Sequence, residues 1–360
     1  MTIAPAAPEP GSVLFVRGGD QIVAREQAPL GQRLPYRRSA GDAPAPTGWD
    51  RDVLRRGWHL TLPGDSLGDT LLGLAAAVAL HSVTGYEITY RGPRADLMRH
   101  CGLPVTVFGA AGNHVLTSGG HASLDIPVVA EGPPTWLDVL DDEVVQVHAA
   151  LPMRYYLALE QRLGVRLPLD AAPAPAWLAT GAARPGRVVF VGATSRPDRK
   201  DYGTAGFREI AAHLAARRLG LSFAMITPLD TPTPAAASGD GEVEMLGALD
   251  AADAIEAFAA AELVIGNDTG LSHLAALAMR ADRTGPHVLG LYARHSHTKW
   301  TTGRRNHHAV ATPFTMALSA ADRCPVRDQL DDTIWGTAAA IGALPAAGIA
   351  DAAGVAAGWW

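Results

Sequence analysis

Residues 263–277 read LVIGNDTGLSHLAAL, and this stretch decides the fold. Residues 263–266 have the apolar composition of a short buried strand, and residues 271–279 have the apolar spacing of a helix. Between them stands the polar turn Asn267-Asp268-Thr269-Gly270. A strand that passes directly into a helix is the unit of an α/β sheet, in which ligands bind where the strands end.

The same alternation occurs on both sides of a Pro/Ala-rich segment. Upstream of that segment, the pattern predicts helices at 67–83 and 95–101 and strands at 58–62, 86–90, 105–108, 126–129 and 144–147. Downstream, it predicts helices at 207–218 and 250–261 and strands at 187–191, 222–227 and 287–292. Two α/β domains, each built on a parallel sheet and facing the other across a cleft, account for this order.

The domain boundaries follow from composition. We predict an N-terminal domain at 58–170, a linker at 171–185 and a C-terminal domain at 186–335. Residues 1–57 form an extension, in which short strands at 12–17 and 21–25 around two glycines predict a β-hairpin. Residues 336–360 form an Ala/Gly-rich tail or helix.

Composition excludes several classes of function. The net charge is −6 and Lys and Arg form no long run, which disfavours nucleic acid and polybasic membrane anchoring. The two cysteines make neither a disulfide framework nor a metal-ligand spacing, as is typical of the cytoplasm. The first residues do not resemble a signal peptide, and we expect no integral membrane segment because no apolar stretch is long enough to span a bilayer.

Two polar turns that precede helices carry the candidate chemistry. At the first, Asp268 can cap the helix, while Thr269 and Gly270 stand where free backbone N–H groups and the helix dipole favour a phosphate. The alternative is an ordinary capped turn. At the second, Asp65-Ser66-Leu67-Gly68-Asp69, either Ser66 or Asp69 caps the following helix.

Both turns resemble motifs of one family. Residues 268–276, DTGLSHLAA, look like the signature of heptosyltransferases (glycosyltransferase family nine), and residues 66–69, SLGD, resemble a motif near that family's first strand. The resemblance implies the GT-B fold and a donor of the ADP-heptose type. In the family the second motif lies close to the N-terminus, whereas here the whole 1–57 extension precedes it.

The resemblance also implies roles for particular residues. Asp268 would contact sugar hydroxyls, and Thr269 and Gly270 would hold the diphosphate. Asp69 would be the general base on the acceptor side, beside Ser66 and Gly68, because glycosyl transfer needs a carboxylate to take the acceptor's proton. The alternative for Asp69 is a helix-terminal acid favoured by the dipole, with Asp65, Asp20 or Glu26 as the base. His273 would contact the donor or, alternatively, pack within its helix and support the loop.

A third, weaker motif follows the strand at 187–191. The family has a Gly/Thr/Ser loop and then a lysine here, so Thr194 and Ser195 would bind phosphate oxygens, and Lys200 would neutralise the departing diphosphate. Arg196 or Arg199 is an alternative cation, and solvated loop charges are another interpretation. By the same resemblance, Leu249 would pack on adenine or, alternatively, in the core.

These residues together predict an inverting, metal-independent glycosyltransferase. It would need no cofactor and would move a sugar, by resemblance a heptose, from an ADP-sugar to a lipopolysaccharide-core sugar or a small-molecule acceptor. His295, His297, His307 and His308 have no standard zinc spacing, so we predict no metal site. The alternatives are a transferase or epimerase that uses another nucleotide sugar, and an inactive nucleotide-sugar-binding protein. The absence of G-x-G-x-x-G after any predicted strand disfavours a dinucleotide oxidoreductase.

Overall fold

The structure is a computed structural model. It describes residues 13–18, 58–61, 66–74, 88–91, 94–102, 105–108, 123–126, 135–138, 150–154, 175–228, 242–315 and 341–360. The second hairpin strand predicted at 21–25, the strand predicted at 144–147 and helix residues 75–83 lie outside these ranges.

The helices and strands alternate along most of the chain. The described strands are β1 (Leu14–Val16), β2 (Trp58–Thr61), β3 (Ile88–Arg91), β4 (Val105–Phe108), β5 (Ser123–Ile126), β6 (Thr135–Asp138), β7 (Trp177–Leu178), β8 (Arg187–Val191), β9 (Ser222–Ile226), β10 (Val243–Gly247), β11 (Leu263–Asn267), β12 (Ala278–Met279), β13 (His287–Tyr292) and β14 (His307–Ala311). The helices used below are α1 (67–74), α2 (Ala95–Arg99), α3 (Pro197–Lys200), α4 (Thr204–Arg217), α5 (Ala251–Ala260), α6 (Gly270–Leu277) and α7 (Ala346–Ala356). None of the described helices has both the length and the apolarity that crossing a membrane requires.

The C-terminal half is built on a seven-stranded sheet in the order β1-β14-β13-β11-β8-β9-β10. All neighbours pair in parallel except β1, which is antiparallel to β14. Strands β8 and β11 read as continuous apolar runs because helices cover both faces of a parallel sheet. The first strand of the predicted hairpin therefore lies at the edge of the C-terminal sheet.

Helices α4 and α7 cover one face of this sheet. The buried residues of α4 are Phe207, Ile210, Ala211 and Leu214, which share one face of the helix. Ile349 of α7 is fully buried in the same cluster. The Ala/Gly-rich end of the chain thus contributes a helix to this core.

The N-terminal half contains a smaller mixed sheet. Its order is β4-β3-β5-β2-β6, and β5 runs antiparallel to both of its neighbours. The parallel sheet predicted for this half therefore contains one antiparallel strand, which the sequence did not predict. The strand predicted at 126–129 instead occupies Ser123–Ile126. It lies between two parallel pairs, β3–β4 and β2–β6, and runs in the opposite direction to its neighbours.

The segment between the halves is anchored on both sides. Trp177 is fully buried, and its Nε1 donates a 2.9 Å hydrogen bond to the carbonyl of Leu97 in α2. Strand β7, which begins at Trp177, pairs with β12, so residues 278–279 belong to a strand and not to the preceding helix as predicted. Glu256 of α5 then accepts hydrogen bonds from Thr180 and Gly181. These contacts join the N-terminal helix α2, the linker and the C-terminal half.

Candidate active site

The turn between β11 and α6 differs from the prediction in its cap. Thr269, with extended backbone angles, is the N-cap of α6, and its side chain makes no capping hydrogen bond. Asp268 is therefore not the helix cap. Its buried carboxylate instead contacts two cationic or ionisable side chains, which stabilise a desolvated charge better than backbone amides alone.

The Asp268 carboxylate is the electrostatic centre of the site. Its Oδ2 lies 3.0 Å from Lys200 Nζ and 2.9 Å from His295 Nδ1. Burial raises the pKa of this carboxyl, but the Lys200 charge and the His295 hydrogen bond outweigh it and hold the pKa below its ordinary value. Asp268 is thus ionised, and the Nδ1 of His295 carries the proton that it donates.

Lys200 is the cation of the third motif that reaches Asp268. Arg199 instead pairs with its neighbour Asp198 at 2.9 Å, and Arg196 is exposed. Ser195 is exposed as well, and the hydroxyl of Thr194 accepts the backbone N–H of Arg196 at 3.2 Å. The loop after β8 therefore carries the predicted polar groups, with Lys200 held at the start of α6.

Asn267, which the sequence analysis missed, ties this loop to the sheet. It is fully buried at the end of β11. Its Oδ1 accepts the N–H of Tyr202 at 3.0 Å, and its Nδ2 donates to the Gly192 carbonyl and to Asp201 Oδ1, both at 3.2 Å. A polar residue at the end of an otherwise apolar strand was the available signal.

Asp69 belongs to a capped helix start. Ser66 Oγ accepts the N–H of Asp69 at 3.1 Å and donates to Asp69 Oδ2 at 2.8 Å. Ser66, and not Asp69, is therefore the cap of α1, and the carboxylate in turn orients the serine hydroxyl.

The environment of Asp69 is that of a group able to exchange protons. Burial raises its pKa and the negative charge of Asp268 adds to the rise, whereas the Ser66 hydrogen bond, Lys200 and Lys299 oppose it. The net pKa lies above the ordinary value. Asp69 thus shares its electrostatic surroundings with the Lys200–Asp268 pair.

The starts of α1 and α6 pack directly on each other. A Cβ placed on Gly270 would lie 2.5 Å from the Gly68 nitrogen and 2.7 Å from the Leu67 Cβ. One on Gly68 would lie 3.2 Å from the ring of His273. Gly270 was predicted to hold a phosphate, and in the structure the atoms next to its Cβ position belong to the chain itself. The positive ends of two helix dipoles are therefore brought together.

His273 is buried inside this contact. Its ring lies edge-on to His307, with centroids 5.7 Å apart. Burial lowers the pKa of His273 to about 4; the nearby Asp268 opposes this shift and Lys200 adds to it. A neutral, packed imidazole agrees with the supporting role that was one of the two predictions for this residue.

The other histidines of this region contact different groups. Each has separate surroundings: His295 contacts Asp268, His297 lies edge-on to Tyr292, His307 Nδ1 accepts the Thr302 N–H, and His308 Nδ1 accepts the Gly18 N–H. Among the described residues, no group of three or more His, Cys, Asp or Glu side chains is arranged to hold an ion.

Two further segments follow strands of the large sheet. Leu249 is half-buried on the loop between β10 and α5, at the same edge of the sheet as the turn after β11. Residues 291–300 cross towards the N-terminal half: the Lys299 carbonyl accepts the Leu151 N–H at 2.8 Å, and Trp300 packs on Leu72 and Leu151. The ammonium of the buried Lys299 lies 4.9 Å from the centre of the Trp300 ring, and its charge opposes the rise in the pKa of Asp69.

Part of the chain matches a known protein family. Residues 152–325 match the family model of glycosyltransferase family 9 (heptosyltransferase). The matched segment contains the whole third motif and the turn before α6, and it begins after Asp69. No curated protein matches the chain in sequence.

Several solved structures are similar in part. One is the E. coli heptosyltransferase WaaC with ADP, at 16% identity and a TM-score of 0.46, over 71% of this chain and 93% of that one. Another is the dodecameric iron-containing heptosyltransferase TibC in complex with ADP-D-beta-D-heptose, at 14% identity and a TM-score of 0.46, over 84% of this chain and 77% of that one. Because these TM-scores are below 0.5, the assignment rests on the family model and its motif. Residues 152–325 resemble a glycosyltransferase family 9 (heptosyltransferase) domain, and this match indicates that the chain is a glycosyltransferase.

Proposed function

We propose that the chain is an inverting, metal-independent transferase that moves a heptose from ADP-heptose to an acceptor hydroxyl. The family description and the DTGLSHLAA motif at 268–276 support the donor. A lipopolysaccharide-core sugar and a small molecule remain the two acceptor classes within this proposal. The cysteine usage supports the cytoplasm as its location.

In this mechanism the acceptor side belongs to Asp69. Its carboxylate takes the proton of the acceptor hydroxyl while the oxygen attacks the anomeric carbon. The bond from that carbon to the diphosphate oxygen breaks as the new bond forms, which inverts the configuration. A raised pKa suits a base that must accept a proton near neutral pH.

The donor side belongs to the start of α6. The leaving ADP gains negative charge, which Lys200 and the backbone N–H groups at Thr269 and Gly270 would stabilise. Asp268 fixes the Lys200 ammonium at 3.0 Å, so the cation does not need to be ordered when the donor binds. Thr194 and Ser195 would add hydroxyl contacts to phosphate, and Leu249 would pack on adenine.

One observation carries the proposal: a carboxyl group with a raised pKa shares its electrostatic environment with the Lys200–Asp268 pair, where two helix starts meet. The donor motif and the candidate base come from separate halves of the chain. A nucleotide-binding protein without catalysis has no need of the Asp69 carboxylate in this position.

The test compares Asp69→Asn with Ser66→Ala. The first keeps the size and much of the capping ability but cannot accept a proton, whereas the second removes the cap and keeps the carboxylate. We expect Asp69→Asn to lower turnover of ADP-heptose, measured as ADP release with an acceptor sugar, by about 10² to 10⁴. Ser66→Ala should cost about 1 kcal/mol of stability and leave most of the turnover. Normal turnover by a folded Asp69→Asn variant would show that Asp69 is not the base.

A further inference from the structure

Asn267 contacts the segment that carries Lys200. Asn267 is the last residue of β11 and has no exposed surface. Its amide makes three hydrogen bonds, to the end of β8 at Gly192 and to the turn at Asp201 and Tyr202. Buried amides are retained where their donors and acceptors are matched, because an unmatched one is costly.

The three bonds require an amide. The Tyr202 N–H needs an acceptor, while the Gly192 carbonyl and the Asp201 carboxylate need donors. An aspartate at 267 would supply no donor and would place a second negative charge beside Asp201. A leucine would leave all three partners without their bonds.

Asn267 and Asp268 together hold both ends of the Lys200 side chain. Asn267 fixes the backbone immediately after Lys200, and Asp268 receives its ammonium at 3.0 Å. Tyr202 is fixed a second time, since its hydroxyl donates to the Leu344 carbonyl at 2.8 Å. A lysine side chain has many accessible rotamers, so the position of the Lys200 ammonium would vary without these anchors.

We propose that Asn267 is a positioning residue for Lys200: it does not touch the donor, and it sets where the ammonium stands relative to the start of α6. This rests on the proposed function, in which Lys200 stabilises the departing diphosphate. A cation displaced by about 1 Å loses on the order of 10²-fold in rate, so the positioning of Lys200 has a measurable effect.

The experiment is a double-mutant cycle with Asn267→Asp and Lys200→Met, measured as kcat and KM for ADP release from ADP-heptose. We expect Asn267→Asp to lower kcat/KM by about 10- to 100-fold in the wild-type background. In the Lys200→Met background it should have almost no further effect, because the group that it positions is already absent. A merely structural role would give the same loss in both backgrounds.

Rescue provides the second readout. Combining Asn267→Asp with Asp201→Asn removes the second negative charge from this contact. Asp201 Oδ1 accepts both the Asn267 amide and the Gly203 N–H, so Asn at 201 can restore only one of these two bonds. We expect part of the lost activity to return. If Asn267→Asp does not fold, Asn267→Ser adds no charge and enters the same cycle.

The outcomes distinguish the positioning role of Asn267 from the proposed function. Additive losses, with no rescue, would overturn the role of Asn267 while leaving the proposed function standing. If Lys200→Met alone changes neither turnover nor ADP affinity, Lys200 does not stabilise the departing diphosphate, and the positioning role of Asn267 fails with it. Coupled losses with rescue would support both.

Discussion

Protonation of the buried His273 should weaken the fold in mild acid. The pKa of its imidazole is lowered from 6.5 to about 4, first by burial and further by Lys200, with Asp268 acting in the opposite direction. The unfolded chain therefore binds a proton at this residue at a higher pH than the folded chain. Stability is fully present above about pH 6.5 and falls as the pH decreases towards 4.

The size of the effect follows from the shift. Each pKa unit corresponds to about 1.4 kcal/mol, so a shift from 6.5 to about 4 gives a loss of about 3 kcal/mol once pH 4 is reached. Within the window the slope contributed by this residue is at most about 1.4 kcal/mol per pH unit. His297 and His307 also have lowered pKa values, so the whole protein should lose stability more steeply than His273 alone requires.

The assay compares urea unfolding of the wild type and of His273→Gln between pH 7 and pH 4.5. The variant lacks the titrating group. Its free energy of unfolding should therefore fall less steeply as the pH decreases, by at most about 1.4 kcal/mol per pH unit, which is the slope that one titrating proton contributes. His213→Gln is the control, because His213 is exposed on α4. Equal slopes for wild type and His273→Gln would refute a neutral, buried His273.

Three further predictions address the site. Lys200→Met should lower kcat for ADP release by about 10² to 10³, whereas Arg199→Met should change it little, and equal losses in both would place the cation elsewhere. Gly270→Ala should cost about 1 to 3 kcal/mol in urea unfolding because its Cβ meets Gly68, while Gly342→Ala, with no atom within 4 Å of its Cβ, should be nearly neutral. ADP release should survive EDTA because lysines and helix dipoles stabilise the leaving group. Loss of activity on chelation that Mg²⁺ or Mn²⁺ restores would contradict metal independence.

Local patterns predicted much of the fold. Strands β4, β8 and β13 occupy the predicted residues because each is a short apolar run bounded by turns. Strands β10 and β14 were missed, since β14 begins with two histidines and β10 contains an exposed glutamate. The reversal of β5 was missed as well, because strand direction depends on pairing with β2 and β3 and not on its own four residues.

The sequence predicted which residues belong to the candidate site better than it predicted which of them contact each other. The motifs identified Asp69, Lys200 and Asp268, which the structure brings into one electrostatic environment. The pairing of His295 with Asp268 was not foreseen, because 27 residues separate them and only the parallel pairing of β11 and β13 joins their loops. The sequence favoured Asp268 as a helix cap, whereas in the structure its carboxylate pairs with Lys200.

Binding of nucleotides tests the central claim most directly, since the claim is that an ADP-sugar sits at the start of α6. Calorimetric titration with ADP, UDP and GDP should show one site that prefers ADP. Lys200→Met and Thr269→Val should weaken ADP binding, while Arg199→Met leaves it unchanged. Absence of ADP binding to the folded wild type would contradict the account. So would an ADP affinity of the Lys200→Met and Thr269→Val variants equal to that of the wild type.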